Sequence, residues 1–289
     1  MPVDAHTQVT DLSADDHACL TFGGQEDLLD LMAAFVRDGL DSGLRVVVLS
    51  DTLDLAAAKL GWREIATEPA VAAGQMVMVA SQDALVGPQG FSAQQAMGWL
   101  RDQLAESRRQ GYAGIRVALD MSWALRPMTG IEELPVLEEE IAAAVSGAGM
   151  SVLCGYDRER FDPVTLALIA PLHSHSVAAA TYHDDPVLRI CRQYVPPGIR
   201  LAGEMDFLAA DALALALGEA IRIDGDITIN MTNLHFIDAS SIRMIMEAAA
   251  SLDPSRTVVL RCRPPIEARF MQLALDRPPH VRLVGVDEH

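Results

Sequence analysis

Three short strings carry residue types that could do chemistry. The first is NLHFIDASSIRMI (233–245), in which Asp238, Ser240 and Ser241 stand together ahead of an apolar helical period. Two readings fit it. Asp and Ser oxygens accept from first-turn N–H groups, so the residues cap a helix. Alternatively, a serine hydroxyl is presented to a kinase at an exposed helix start. The second string is FGGQEDLLDLM (22–32), where Gly23-Gly24 separates a strand from a helix, as a phosphate loop would. That loop needs a lysine and a hydroxyl after its last glycine. Here Gln25, Glu26 and Asp27 follow, and the single lysine of the chain, Lys59, belongs to a later helix. Carboxylates there oppose a bound phosphate. A plain turn and a turn facing a non-nucleotide ligand are both left open. The third string, DMSWALRP (120–127), places Asp120 and Trp123 at the end of a strand. Open α/β sheets bind ligands beyond such ends. Trp123 is then an amphipathic ligand surface or a core residue, and Asp120 a ligand contact or a loop cap.

The elements that position these strings alternate. Apolar strands are expected at 18–22, 45–51, 76–81, 115–123 and 150–157. Helices are expected at 25–42, 52–60, about 92–110, 132–147 and 162–172. β-branched strands between helical periods predict a mostly parallel α/β sheet. Phe22-Gly23-Gly24, Asp51 and Asp120-Trp123 fall at its strand ends, as a candidate ligand crevice. The polar stretch 173–186 holds or ends at the boundary to a second module. That module is read as strands at 187–194, 199–206, 226–232, 257–262 and 281–285, with helices at 207–222, 239–251 and 265–275.

Composition narrows the function. The chain has 289 residues, half of them hydrophobic and 21% charged, which suits two packed domains. Its net charge of -18 is concentrated before residue 187. Nucleic acid and anionic membrane surfaces are therefore not expected partners, because both need clustered Lys and Arg. Cys19, Cys154, Cys191 and Cys262 show no CxxC spacing, so neither a metal-thiolate site nor a disulfide framework is expected. No apolar run is long enough to span a bilayer, and the expectation is a cytoplasmic protein.

The strings also carry resemblances. HACLTFGGQEDLLDLMAAFVRDGLDSGLRVVVLSD (17–51), IRVALDMSWAL (115–125), LEEEI (137–141), VLCGYDRERFDP (152–163) and HSHSV (173–177) together resemble a MEDS domain, the sensory domain of methanogen and methylotroph regulators. The resemblance assigns residues 1–180. It implies a RecA/KaiC-like fold with a decayed nucleotide site and a small-molecule sensory role. It puts His17 and His175 on recurrent histidines, each of them a ligand contact or a structural residue.

The string at 233–245, with IRLAGEMD (199–206), resembles a STAS domain (sulfate transporter and anti-sigma factor antagonist), assigned to 187–289. That resemblance makes Ser240 the phospho-acceptor, with Ala239 and Ser241 standing where the family has serine and glycine. Asp206, Asp238 and Ser241 become partner-binding residues. The partner it implies is an anti-sigma factor that is itself a serine kinase. The combined expectation is a regulatory protein, not an enzyme, without cofactor, catalytic residue or metal. Alternatives are a RecA-like nucleotide-binding protein or ATPase with an appended STAS domain, or the scaffold of a stress-signalling assembly. Homo-oligomers are compatible with each.

Overall fold

A computed structural model describes residues 7–274 and 277–286. The chain divides into two compact units, 1–178 and 179–289.

The first unit is built on β1 (His17–Phe22), α1 (Gln25–Asp41), β2 (Arg45–Leu49), α2 (Leu53–Trp62), α3 (Thr67–Ala72), β3 (Met76–Val79) and α4 (Ser81–Leu85). A small hairpin, β4 (Val86–Gly87) and β5 (Gly90–Phe91), precedes α5 (Ala93–Arg109), β6 (Ile115–Asp120), α6 (Leu134–Val145), β7 (Met150–Asp157), α7 (Pro163–Ile169) and β8 (His175–Val177). The main sheet runs β3-β2-β6-β7-β1-β8, with every pairing parallel. Its apolar strands are buried on both faces, as parallel sheets require. Side chains alternate, so Cys19, Val47, Leu49, Val117, Leu119, Val152, Cys154 and Tyr156 share one face and one core with α5 and α6. The other face is covered by α1, whose buried stripe includes Leu28, Leu31, Met32, Phe35 and Val36.

Strand β6 stops at Asp120 rather than 123. The Asp120 carboxylate turns back to accept from Ser122 N–H at 3.0 Å, and a 3-10 turn holds Met121–Leu125.

The second unit contains β9 (Thr181–Asp184), β10 (Leu188–Gln193), β11 (Gly198–Met205), α8 (Ala210–Ile223), β12 (Ile227–Ile237), α9 (Ala239–Ala250), β13 (Val258–Cys262), α10 (Pro264–Leu273) and β14 (Val281–Gly285). The sheet order is β14-β13-β12-β11-β10-β9. The two β10 pairings are antiparallel, and β11 through β14 run parallel. The polar stretch 173–186 is therefore ordered. Its first strand belongs to the first sheet, and β9, between the two expected domains, belongs to the second.

Gly203 sets the approach to the serine string. Its φ is +100°, and a Cβ there would lie 2.0 Å from the Val187 carbonyl oxygen. Only glycine fits so close an approach. The β11–β12 register shifts next to it, carrying Met205 opposite Ile237.

Candidate functional site

The serine string sits where β12 ends and α9 begins. Asp238 is the N-cap of α9. Its two carboxylate oxygens divide the work: one accepts from Ser241 N–H at 2.7 Å, the other from the Ser240 hydroxyl at 2.7 Å. Asp238 N–H donates to the Met205 carbonyl at 3.1 Å, so the turn after β11 is fastened to the start of α9. In that turn Asp206 caps a 3-10 segment by accepting from Leu208 N–H at 2.9 Å. Partial burial works to raise the Asp238 pKa, but hydrogen bonds from Ser240, Ser241 and Phe207 N–H outweigh it and hold the carboxyl below its usual range. Asp238 is thus an ionised acceptor that orients the Ser240 hydroxyl, with the oxygen lone pairs left for an incoming group.

Ser240 is half-buried and engaged in a hydrogen bond, not freely exposed. Ser241, expected to face a partner, is 2% exposed and belongs to the interior. A small buried residue is needed there because Ile242 and Ile245 seat α9 in the core. Sequence reasoning missed the apolar side chains of the turn fastened to Asp238. Phe207 and Leu208 are 67% and 79% exposed. The adjacency of Met205-Asp206-Phe207-Leu208 to the GEMD string was a usable signal.

The expected crevice of the first unit is tighter than a ligand site. The Ser50 hydroxyl donates to Asp120 at 3.4 Å, across the ends of β2 and β6. Both line a mostly apolar cavity with Gln25, Leu28, Met32 and Val48, of about 20 Å³. That space holds roughly one water, against about 300–1,000 Å³ for a ligand pocket. Phe22 is 3% exposed and belongs to the core. Gly23 lies under Arg158, whose guanidinium would be 2.6 Å from a Cβ there, while Gly24 is the N-cap of α1. Trp123 is also a core residue: it is 1% exposed and packs on Phe91 with ring centroids 5.0 Å apart. Large apolar area and the β5 hairpin beside it draw the indole inward. Asp51 pairs with Arg126 at 2.5 Å, and Arg126 also bonds Gln82 at 3.0 Å. Those last two residues border an open groove of about 480 Å³.

His17 and His175 are not brought together. His175 is half-buried, 3.1 Å from Thr7 Oγ1 and 3.3 Å from Asp16. His17 instead faces the α6 side of the sheet, fully buried, with His173, Glu138, Cys154 and Tyr156. Ser174 fixes this arrangement, since its N–H and hydroxyl both donate to the His17 carbonyl, at 2.8 and 2.9 Å. Glu138 Oε2 lies 2.9 Å from His17 Nε2, 3.2 Å from His173 Nε2 and 3.6 Å from Cys154 Sγ. The Tyr156 hydroxyl donates to Glu138 Oε1. The His17 and His173 rings stack with centroids 4.1 Å apart.

Burial lowers the His17 pKa, against the raising influence of Glu138 and with repulsion from His173. Burial pushes the Glu138 pKa up, but the two histidines beside it outweigh burial and hold it well below the carboxylate range. Burial beside that carboxylate pushes the Cys154 thiol and Tyr156 phenol well above their usual values. The same causes raise Cys19 to about 12. Only His17 of this cluster was singled out from the sequence as a candidate. The others lie far apart in the chain, and Glu138 is one of three consecutive glutamates.

The two units define an α/β protein of two modules, one with a buried polar cluster and one with a capped serine at a helix start. The chain belongs to the MEDS family (methanogen/methylotroph, DcmR sensory domain), whose model matches residues 16–174, more than half of its length. A STAS domain follows at 193–283. Among solved structures the chain is similar to an anti-sigma factor antagonist from Mycobacterium paratuberculosis, at 17% identity over 37% of this chain and 85% of that one, TM-score 0.29. It is also similar to a KaiC-like protein from Pyrococcus horikoshii OT3, at 10% identity over 66% of this chain and 88% of that one, TM-score 0.48. No curated protein matches. No helix among the described residues is long and apolar enough to cross a membrane.

Proposed function

We propose that the chain is a regulatory protein of the anti-sigma factor antagonist type. Its STAS domain binds an anti-sigma factor with serine kinase activity, and phosphate on Ser240 weakens that binding. The MEDS domain serves as the sensory or interaction module, in the cytoplasm and without nucleotide hydrolysis. The observation that carries this reading is the Ser240 hydroxyl, oriented by Asp238, whose carboxylate also accepts from Phe207 N–H in a turn that exposes Phe207 and Leu208. An exposed apolar turn fastened to an oriented nucleophile suits a partner that both docks and phosphorylates. Phosphate adds about -1.5 to -2 charges and displaces the Ser240–Asp238 hydrogen bond. The helix N-terminus offsets part of the repulsion from Asp238, by about 0.3–1 kcal/mol. The phosphate must still be desolvated against a docked partner, which costs more.

On the side of a non-hydrolytic first unit, Lys59 sits in α2 beside Glu26 at 3.4 Å, and the first turn of α1 carries Glu26 and Asp27. The test is calorimetry of unmodified, Ser240-phosphorylated and Ser240→Ala protein against the anti-sigma factor recovered from the native cytoplasm. Phosphorylation should weaken binding roughly 10- to 150-fold, about 1.4–3 kcal/mol, and Ser240→Ala should bind whether or not kinase and ATP are present. Equal affinity for all three forms would leave helix capping as the role of Ser240.

A further inference from the structure

The buried cluster of the first unit has the composition and spacing of a metal centre. We infer that His17 Nε2, Glu138 Oε2, Cys154 Sγ and His173 Nε2 bind one divalent first-row transition ion, zinc foremost, as a closed four-ligand site.

The first argument is distance. Zinc bonds of about 2.0–2.3 Å to N, O and S place tetrahedral ligands about 3.3–3.7 Å from one another. The four ligand atoms all lie within 4.8 Å of one another. Four of the edges between them are 2.9 and 3.2 Å from Glu138 Oε2 to the two histidines, 3.6 Å from it to Cys154, and 3.5 Å from Cys154 to His17.

The second argument is the direction of His173. Its Nδ1 lies 3.0 Å from the Ile169 carbonyl, an acceptor only, so Nδ1 carries the proton and donates it. In the neutral ring, Nε2 then holds a lone pair, which would face a carboxylate. The side chain is 1% exposed, and Nε2 has no hydrogen-bond partner although Glu138 Oε2 is only 3.2 Å away. A buried ring nitrogen this close to a carboxylate oxygen, with no hydrogen bond between them, is the placement of two ligand atoms that share a cation. A histidine that donates Nδ1–H to a carbonyl and coordinates through Nε2 is the usual outer-shell arrangement. Tyr156 completes that shell by occupying Glu138 Oε1, which leaves Oε2 as a single ligand atom.

The third argument is charge. Glu138 and Cys154 are 0% exposed. An isolated buried carboxylate is costly. A divalent ion with one carboxylate and one thiolate is neutral, the thiol proton leaving to water as the ion enters. Four protein ligands leave no open position, so the site is structural or regulatory rather than catalytic. It would join β1, α6, β7 and the segment entering β8.

The 289-residue chain is stripped by unfolding in chelator, then refolded with zinc or cobalt. The wild type should retain one zinc per chain through gel filtration. Its cobalt form should show a thiolate-to-cobalt charge-transfer band with tetrahedral visible bands. Cys154→Ser should lose the charge-transfer band. Tyr156→Phe keeps every ligand, so it should keep the spectrum and bind roughly 10- to 100-fold more weakly. A wild type that retains no metal overturns the site, as does a Cys154→Ser protein with an unchanged cobalt spectrum. If Cys154→Ser does not fold, unchanged affinity in Tyr156→Phe overturns it instead.

Discussion

Removing the Asp238 carboxylate tests the geometry on which the proposed serine switch depends. Asp238→Ala takes away the cap acceptor of Ser241 N–H, the partner of the Ser240 hydroxyl and the acceptor of Phe207 N–H. Loss of an N-cap side chain costs about 0.5–2 kcal/mol. Loss of a negative charge at the helix N-terminus adds about 0.3–1 kcal/mol. A total of about 0.8–3 kcal/mol lowers the melting temperature of a domain of this size by about 3–24 °C. Asp238→Asn keeps an acceptor and should lose only the charge contribution, about 0.3–1 kcal/mol. Trp62, Trp99 and Trp123 all belong to the first unit, so tryptophan fluorescence follows that unit alone. Circular dichroism should show the Asp238→Ala shift, and tryptophan fluorescence should not. Acid should act in the same direction. The folded Asp238 pKa lies below its unfolded value, so its contribution is present above about pH 3.9 and is lost as pH falls through the folded value. Asp238→Asn should lack that part of the acid dependence. An Asp238→Ala protein that melts within about 0.5 kcal/mol of wild type refutes the cap as the device that holds this loop.

Three further outcomes follow from side chains already placed. Trp123→Ala should destabilise the first unit by about 3–5 kcal/mol, as loss of a buried indole does; a chemical melt that leaves it unchanged would return Trp123 to the ligand crevice. Gly203→Ala meets both a positive φ and the Val187 carbonyl, and should cost the second unit about 1–3 kcal/mol in urea. Phe207→Ser with Leu208→Ser should stay within about 0.5 kcal/mol of wild-type stability because both side chains are exposed. The same pair should weaken binding of the proposed anti-sigma factor partner at least about 10-fold, and equal affinity by calorimetry would move the docking surface elsewhere.

The parallel core was readable because buried strands such as Arg45–Leu49 and Met150–Asp157 are short apolar runs set between helical periods. Helices α1 and α6 came out within two residues of their observed ends for the same reason. Elements whose pattern is weak were not read. Strand β9 is a four-residue edge with exposed ends, so it carries no alternation. Strand β12 runs five residues past its expected end because its last stretch, shifted in register against β11, exposes His235 and Phe236. The serine string was legible because Asp238, Ser240 and Ser241 are neighbours in sequence, yet only packing shows that Ser241 turns inward. The buried cluster was illegible for the opposite reason. His17 and Cys154 stand 137 residues apart, and only the β1–β7 pairing puts them on one face. His173 and His175 differ by two residues, and nothing in the string tells which one joins His17.

The strand order has a consequence for synthesis. Strand β1 lies between β7 and β8, the last two strands of its sheet to be made. About 130 residues separate its end from the start of β7, which at roughly 5–20 residues per second is on the order of ten seconds of translation. Through that interval the nascent β1 has neither neighbour, and both edges of an apolar strand need shielding. The second unit is made differently, since β9, β10 and β11 pair in the order they emerge. A ribosome stalled before β8 would carry an incomplete sheet whose oldest strand is still exposed, whereas one stalled after β11 would already hold a closed antiparallel meander.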